Sequence, residues 1–252
     1  MDIDLTGANL AGRAHVLPRV SRAIAAGDGM FRPHSAQHYF VVGASASALI
    51  HEALRTAGVA PASVGRVLDY ACGYGRVLRW LKADFPDARL LGVDADPKAA
   101  QAAGEALGVE TRALDLALSA PIEAPFDLVW VGSLFTHLPR AETQRVLDYL
   151  AGHLRPGGVL VFTTHGELVR RRLADGERNY GLDAAGVAAV LRGLQAGGYG
   201  YAGYPRTPDY GISVAHASTV MAQAESTGLH PVLFRACGWA AHQDAYAFQR
   251  AV

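Results

Sequence analysis

The chain has 252 residues, and half of them are hydrophobic, a balance that suits one large α/β domain with an added segment. Its formal net charge is zero, which argues against long nucleic acids and acidic membrane surfaces as partners. The two cysteines, Cys72 and Cys237, match no metal-binding spacing and no disulfide framework, and no apolar run reaches membrane-spanning length. With a polar, acidic start, these features predict a soluble, cytoplasmic protein without a metal site.

The first 63 residues predict a helical cap that packs on the domain behind it. A short helix is expected over residues 16–26, and a loop follows it. A longer helix is expected over residues 39–58, because apolar side chains recur there at helical spacing and a glycine ends the pattern.

Residues 67–76, VLDYACGYGR, organise the rest of the chain. An apolar strand ends at Asp69, and Gly73 and Gly75 then permit backbone conformations and close approaches that a Cβ atom would prevent. From residue 74 the apolar spacing becomes helical. A strand, a glycine turn and a helix N-terminus together place backbone N–H groups beside a ligand.

A second apolar strand, over residues 89–93, ends at Asp94. This acid stands near the spacing at which doubly wound nucleotide-binding folds place a carboxylate on the ribose. An ionised carboxylate only accepts hydrogen bonds, and two ribose hydroxyls would donate to it. The alternative is that Asp94 merely caps the next helix, although Asp96 and Pro97 already suit that start.

Three further strands are predicted before the pattern changes. Residues 109–114 form a weak third strand, and residues 126–131 a fourth that is apolar almost throughout, as in buried parallel strands. An amphipathic helix over residues 140–154 leads through RPGG to a fifth strand over residues 159–164. His137 and His165 each follow a strand, at the edge where open α/β sheets bind ligands.

Residues 166–212 do not continue the alternation of strands and helices. Two helices and a tyrosine-rich segment are expected there, as an insertion after the fifth strand that covers the substrate; a small satellite core is the alternative. The arginines at positions 170–172 form either an exposed helix face or an anion-binding patch. A last helix from about residue 218 and strands over residues 230–235 and 245–249 complete the chain.

Four features, in matching order, resemble the class I S-adenosylmethionine-dependent methyltransferases of the small-molecule type. They are the D-x-A-C-G-x-G turn, in which Ala71 replaces the usual glycine, the acid after the second strand, the segment at residues 132–139 with its His-Leu pair, and RPGG before the fifth strand. The resemblance implies an α/β fold with a doubly wound, seven-stranded, mostly parallel sheet. Its antiparallel last strand would lie between strands five and six, and residues 64–252 would form the methyltransferase domain.

The resemblance also implies S-adenosyl-L-methionine as cofactor and a set of residues that bind it. Asp69 would attract the methionine ammonium, Asp115 and the backbone N–H of Leu116 would meet the adenine, and Tyr39 would touch the methionine end. Core packing is the alternative for Tyr39, and a plain surface acid for Asp115. The full set is Tyr39, Asp69, Ala71, Cys72, Gly73, Gly75, Asp94, Ala95, Asp115, Leu116 and Ser133.

The implied reaction is methyl transfer to an oxygen or nitrogen of a small molecule by in-line displacement. His137 and His165 are the candidate catalytic bases, and a purely structural histidine that fixes its loop is the alternative for His137. Residues 132–135 read GSLF, where amino-directed DNA methyltransferases carry D/N-P-P-Y/F. The expected partner is therefore a small molecule rather than a nucleic acid or a membrane.

Two other functions stay open at this point. A non-catalytic module could bind S-adenosylmethionine as a sensor. An NAD-dependent oxidoreductase is less well matched, because its fingerprint needs glycine where Leu78 stands, and because Asp69 would repel a pyrophosphate.

Overall fold

The computed structural model describes residues 3–114, 117, 118, 122, 123 and 125–252. The strands are β1 (Arg66–Tyr70), β2 (Arg89–Asp94), β3 (Glu110–Ala113), β4 (Phe126–Val131), β5 (Leu154–Thr164), β6 (Tyr199–Tyr204), β7 (Thr207–Ala215), β8 (Leu229–Trp239) and β9 (Gln243–Arg250). The α-helices are α1 (Ala36–Thr56), α2 (Leu78–Asp84), α3 (Pro97–Leu107), α4 (Arg140–His153), α5 (Glu167–Ala174), α6 (Ala184–Gly197) and α7 (Ala217–Glu225). Short 3-10 helices span Ala14–Arg19, Pro33–Ser35, Pro61–Ser63 and Leu134–Thr136.

The described residues form a seven-stranded sheet in the order β3-β2-β1-β4-β5-β9-β8, and β6 and β7 form a separate hairpin sheet. β1 and β2 are parallel, as are β2 and β3, whereas β9 runs antiparallel to both β5 and β8. The predicted α/β fold with an antiparallel last strand is confirmed. Within the described part of the chain, no helix is both long and apolar enough to span a membrane.

The chain divides into two compact units, Met1–Trp130 and Val131–Val252. In the first, side chains of the N-terminal segment, such as Val16, share a buried core with Phe40 of α1 and Trp80 of α2. Gly43 lets α1 approach α2, since a Cβ atom there would collide with the Trp80 ring. The expected domain bounds, a cap over residues 1–63 and a methyltransferase domain over residues 64–252, stay predictions.

Two predicted helices of the first unit are wrong in extent. The helix expected over residues 16–26 is a 3-10 helix, Ala14–Arg19, because Pro18 lies inside it and cannot supply a backbone donor. The helix expected from residue 74 begins only at Leu78, because the positive φ angles of Gly73 and Gly75 keep the preceding residues in turns. The backbone groups after β1 are therefore those of a turn rather than a helix N-terminus.

In the second unit, the two helices predicted in the insertion are confirmed as α5 and α6. They pack with the β6–β7 hairpin around a separate core that includes Val169, Val190 and Ile212. The satellite core, which the sequence left as an alternative, is therefore present. The role of residues 166–212 as a substrate cover stays a prediction.

Candidate functional site

Asp69 is the most unusual group of the first unit. It lies in β1, its residue is 1% exposed, and its Oδ2 atom has no hydrogen-bond partner within the described ranges. Burial, and secondly the charge of Asp94, raises the pKa of Asp69 to about 8. A buried carboxyl group without a partner is unfavourable, and a cationic ligand group would remove that penalty.

The turn after β1 is built from left-handed backbone conformations. Ala71, Gly73 and Gly75 have φ angles of 67°, 52° and 83°, and of the three only Ala71 carries a Cβ atom. A Cβ atom on Gly75 would lie 2.6 Å from Leu107 Cδ1, so glycine is needed there for space as well. A Cβ atom on Gly73 would meet nothing within 4 Å, so that side of the turn is open.

Asp94 holds this turn in place, a role that sequence reasoning missed. Its Oδ2 accepts the backbone N–H of Gly73 at 2.7 Å, and its Oδ1 accepts that of Asp96 at 2.9 Å. Each oxygen keeps a further lone pair for a ligand hydroxyl. Asp96 caps α3 through the Lys98 N–H, as the sequence indicated, and Ala95 is exposed beside it.

The remaining cofactor candidates of the first unit have different surroundings. Tyr39 is buried in the N-terminal core, where its hydroxyl donates to Asp28 at 2.7 Å, and burial raises its pKa. Cys72 is buried too, which raises its thiol pKa, and its N–H donates to the Val93 carbonyl at 2.9 Å. Asp115 and Leu116 lie outside the described residues.

Arg79 is a further residue that the sequence did not single out. Its buried guanidinium donates to the carbonyl of Gly75 at 3.1 Å, to the hydroxyl of Tyr39 at 3.2 Å, and to the carbonyls of Ser21 and Ala23. Arg79 therefore connects the glycine turn to the N-terminal segment. No sequence pattern indicates this role, because three of these four partners lie at least 40 residues away along the chain.

In the second unit, Ser133 belongs to a closed set of hydrogen bonds. It has a φ of 63°, and its N–H donates to Thr163 Oγ1 at 2.9 Å. Its hydroxyl accepts from Gln243 Nε2 at 2.8 Å, and the Thr163 hydroxyl donates to Gln243 Oε1 at 2.7 Å. Thr163 and Gln243 thus fix the turn that follows β4.

His137 is held by the strand β7. Its Nδ1 lies 2.7 Å from the carbonyl oxygen of Gly211, and because a carbonyl only accepts, Nδ1 carries the hydrogen and Nε2 keeps its lone pair. The ring of Tyr210 stacks on it at 4.5 Å between centroids. Burial lowers the pKa of His137, so the imidazole is neutral at pH 7 and Nε2 can accept a proton.

His165 is held by the same strand in the same way, but it is buried more deeply. Its Nδ1 lies 3.2 Å from the carbonyl of Ser213. Burial, and then the charges of His242 and His137, lowers its pKa to about 3, which makes it a weak base at neutral pH. Of the two predicted catalytic histidines, His137 is therefore the better proton acceptor. Across the described residues, no group of three or more His, Cys, Asp or Glu is placed to hold a metal ion.

Known proteins match this chain at the level of sequence and of fold. A family model for a methyltransferase domain matches residues 67–158. The chain is 31% identical to the trans-aconitate 2-methyltransferase of Methylobacterium radiotolerans over 183 residues, which cover 66% of this chain and 69% of that protein.

Two further matches are shorter or more distant in sequence. Identity to the trans-aconitate 2-methyltransferase of Azoarcus sp. is 40% over 95 residues, so the match spans 37% of this chain and 36% of that protein. A 1,6-didemethyltoxoflavin-N1-methyltransferase of Burkholderia thailandensis, solved with S-adenosylhomocysteine bound, shares the fold with a TM-score of 0.57 and 17% identity, over 87% of this chain and 82% of that one.

Proposed function

Because the chain belongs to the class I S-adenosylmethionine-dependent methyltransferases, we propose that it transfers the cofactor's methyl group to an oxygen or nitrogen of a small molecule. When bound at the turn after β1, beside Asp69 and Asp94, the cofactor would supply an electrophilic methyl group, and its sulfur would keep the electron pair of the bond that the acceptor's lone pair replaces. The chain supplies binding, alignment and proton transfer.

One observation carries this proposal: the buried carboxyl of Asp69, whose Oδ2 has no partner among the described residues. A methionine tail brings an ammonium group, which is the cation that such a carboxyl lacks. A pyrophosphate would bring negative charge to the same acid. The raised pKa of Asp69, about 8, fits a group that becomes ionised only when a cation arrives.

The neighbouring groups fit the rest of the same cofactor. The open side of Gly73 leaves room for close approach to the backbone, and Gly75 keeps the turn narrow. The spare lone pairs of Asp94 suit the two ribose hydroxyls. Asp94 would then bind the ribose and also position the backbone of Gly73, whose N–H it already accepts.

We propose His137 as the residue that acts on the acceptor. A hydroxyl or ammonium acceptor must lose a proton before or during transfer, and the free Nε2 of His137 would take it. A carboxylate acceptor has no such proton and, like Nε2, only accepts hydrogen bonds, so its methylation would not use His137 as a base. His165, with a pKa of about 3, supports the site by orientation rather than by taking the proton.

Small organic acids are the acceptors that we would test first, because two of the relatives are named for trans-aconitate. The zero net charge argues against nucleic acid as a partner. The two cysteines are both free, which suits a reducing compartment, and the cytoplasm is the proposed location.

The experiment that tests the function offers methyl-labelled S-adenosylmethionine and a panel of carboxylic acids, amines and phenols to the purified chain. We expect a labelled product, with S-adenosylhomocysteine formed in equal amount. Cofactor binding in calorimetry without turnover of any panel member would favour a non-catalytic binding module. Absence of cofactor binding would contradict the proposal altogether.

A further inference from the structure

The arginine run at residues 170–172 has an outer and an inner part. Arg170 and Arg171 point to Glu167 on the same helix, at 2.7 Å and 3.9 Å, and Arg171 is 61% exposed. Arg172 is only 29% exposed, and its Nη1 lies 3.3 Å from Nδ1 of His242. The exposed helix face therefore accounts for two of the three arginines, and the third needs another explanation.

Arg172 belongs to what we name the arginine–tyrosine cluster: His165, Arg172, Arg178, Tyr180 and His242. The Tyr180 ring is its centre. The ring of His242 stacks on it with centroids 5.7 Å apart, and the ring of His165 lies 5.5 Å away. The guanidinium carbon of Arg178 lies 4.9 Å from the Tyr180 centroid. Residues of the stretch 165–180 and the distant His242 thus meet at one tyrosine.

The cluster carries more positive charge than its neighbours neutralise. Within the described ranges, no carboxylate pairs with Arg178, and Arg172 pairs only with Glu177, at 3.2 Å. Glu177 is 63% exposed, and an ion pair in solvent is weak enough for another anion to compete with it. Burial, and secondly the charges of Arg172 and Arg178, lowers the pKa of His242.

Three members of the cluster, Arg172, Arg178 and His242, present donors rather than acceptors. Arginine only donates, so Nδ1 of His242 accepts from Arg172 and the hydrogen stands on Nε2, which is a second donor. Guanidinium groups have the planar geometry that matches a carboxylate with two parallel hydrogen bonds. Donors and positive charge together select an anion with several oxygen acceptors.

The backbone at the centre of the cluster is held in an uncommon conformation. Tyr180 has a φ of 54°, followed by Gly181 at 83°, and the carbonyl of Asn179 accepts the N–H of Leu182 at 3.0 Å to close the turn. A non-glycine residue in the left-handed region is disfavoured, and such conformations concentrate where ligands are bound. The turn aims the Tyr180 ring at both histidines before any ligand arrives.

We propose that the arginine–tyrosine cluster binds a carboxylate of the acceptor molecule, with Arg172 and Arg178 as the groups that select it. This inference rests on the proposed methyl transfer. The carboxylate bound here is not the atom that is methylated, because pairing with guanidinium groups makes an oxygen less nucleophilic. Its role is to anchor the acceptor, and His165 connects the cluster to β7, the strand that also holds His137.

The test measures binding of trans-aconitate and of its uncharged trimethyl ester to the full chain saturated with S-adenosylhomocysteine. Arg172→Gln and Arg178→Gln are each expected to weaken trans-aconitate binding by about tenfold or more. The matched control is Arg171→Gln, which removes one charge from the same helix and should change the dissociation constant by less than about twofold. Binding of the ester should not differ among the variants.

Several results would overturn the inference. They are failure of wild-type protein to bind trans-aconitate at millimolar concentration, equal weakening by Arg171→Gln, and unchanged binding in Arg178→Gln. Because Arg178 is exposed, that variant should fold normally, and unchanged S-adenosylhomocysteine affinity checks this for both variants. If any of these results is found but the chain still methylates acceptors without a carboxylate, the anion-binding proposal is wrong and the methyltransferase proposal is not affected. Arginine-dependent binding without turnover supports the cluster and contradicts the catalytic proposal.

Discussion

The turn after β1 and the two histidines held by β7 are built in opposite ways. The turn consists of neighbours in sequence, whose backbone angles are set by small residues and whose N–H groups find acceptors on the adjacent strand. His137 and His165 take their orientation from carbonyl groups of β7 that lie 74 and 48 residues farther along the chain. A local pattern can specify the first arrangement, whereas only the folded chain creates the second.

Burial affects the charge of the two regions in opposite directions. It raises the pKa of Asp69 and lowers the pKa of His137 and His165, because in each case the charged form loses its hydration. All three groups are therefore mostly neutral near pH 7. The acid can ionise when it meets a cation, and the Nε2 lone pair of His137 can accept a proton.

Replacing His137 tests the β7 region and should give the largest effect. For a hydroxyl or amine acceptor, His137→Ala should lower kcat by about 10²-fold or more, because it removes the proposed proton acceptor. Cofactor affinity should not change. Single-turnover rates with a carboxylate acceptor should fall far less, because a carboxylate has no proton to lose.

Two other histidines provide the comparison for that result. His165→Asn keeps a donor for the Ser213 carbonyl and should reduce kcat by less than about tenfold, because a group with a pKa of about 3 contributes little as a base. His153→Ala, on α4, removes a bond to the Tyr149 carbonyl and a ring contact with Tyr149, and it serves as the control. If His165→Asn proved more damaging than His137→Ala, the assignment of the base would be reversed.

Asp69→Asn tests the turn region. It should weaken S-adenosylmethionine binding by about 10- to 100-fold, because it removes the charged acceptor of the ammonium and leaves the shape of the side chain. Wild-type binding at pH 7 should release a proton, since the ammonium favours the ionised acid. Calorimetry in two buffers of different ionisation enthalpy measures both quantities. Binding without proton release would mean that Asp69 does not meet the ammonium.

The same variant should change stability with pH in a defined direction. The folded pKa of Asp69, about 8, lies above its ordinary value of 3.8, so between those pH values the unfolded chain loses a proton that the folded chain keeps. The Asp69 contribution alone should lower the free energy of unfolding of the cofactor-free protein as the pH rises from about 4 to 8, by at most ~1.4 kcal/mol per pH unit. The lowered pKa of His165 gives a slope of opposite sign below about pH 6.5, in the wild type and in the variant alike, so it cancels in their difference. Asp69→Asn should remove that slope, and denaturant unfolding at pH 5 and pH 8 measures it.

The sequence predicted the features that are built from neighbouring residues better than those that depend on residues far apart in the chain. The order of strands and the antiparallel last strand followed from apolar runs and from a family resemblance. Asp94 was singled out by its spacing and by the same resemblance, and its contact with the ribose stays a prediction. The start of α2 at Leu78 was missed, because apolar periodicity extends into the turn that Gly73 and Gly75 impose. Arg79, Thr163 and Gln243 carried no signal, since each bonds to partners that are distant in sequence.

Ala71→Gly should give the smallest effect. It tests whether the turn after β1 depends only on backbone conformation, whereas the turn at Ser133 also depends on a side-chain hydrogen bond. Alanine at a φ of 67° costs about 1–2 kcal/mol relative to its preferred regions. Glycine removes that cost, but it loses more conformational entropy on folding, which cancels roughly half of the gain in stability. The variant should therefore be more stable by roughly 0.5–1 kcal/mol in denaturant unfolding. Ser133→Gly, at a φ of 63°, relieves the same strain but loses the bond from Gln243, worth about 1 kcal/mol, so it should gain nothing. Equal gains in stability at both positions would show that the Ser133 hydroxyl bond contributes no stability. That result would contradict the proposed difference between a turn held by its backbone and a site held by side chains.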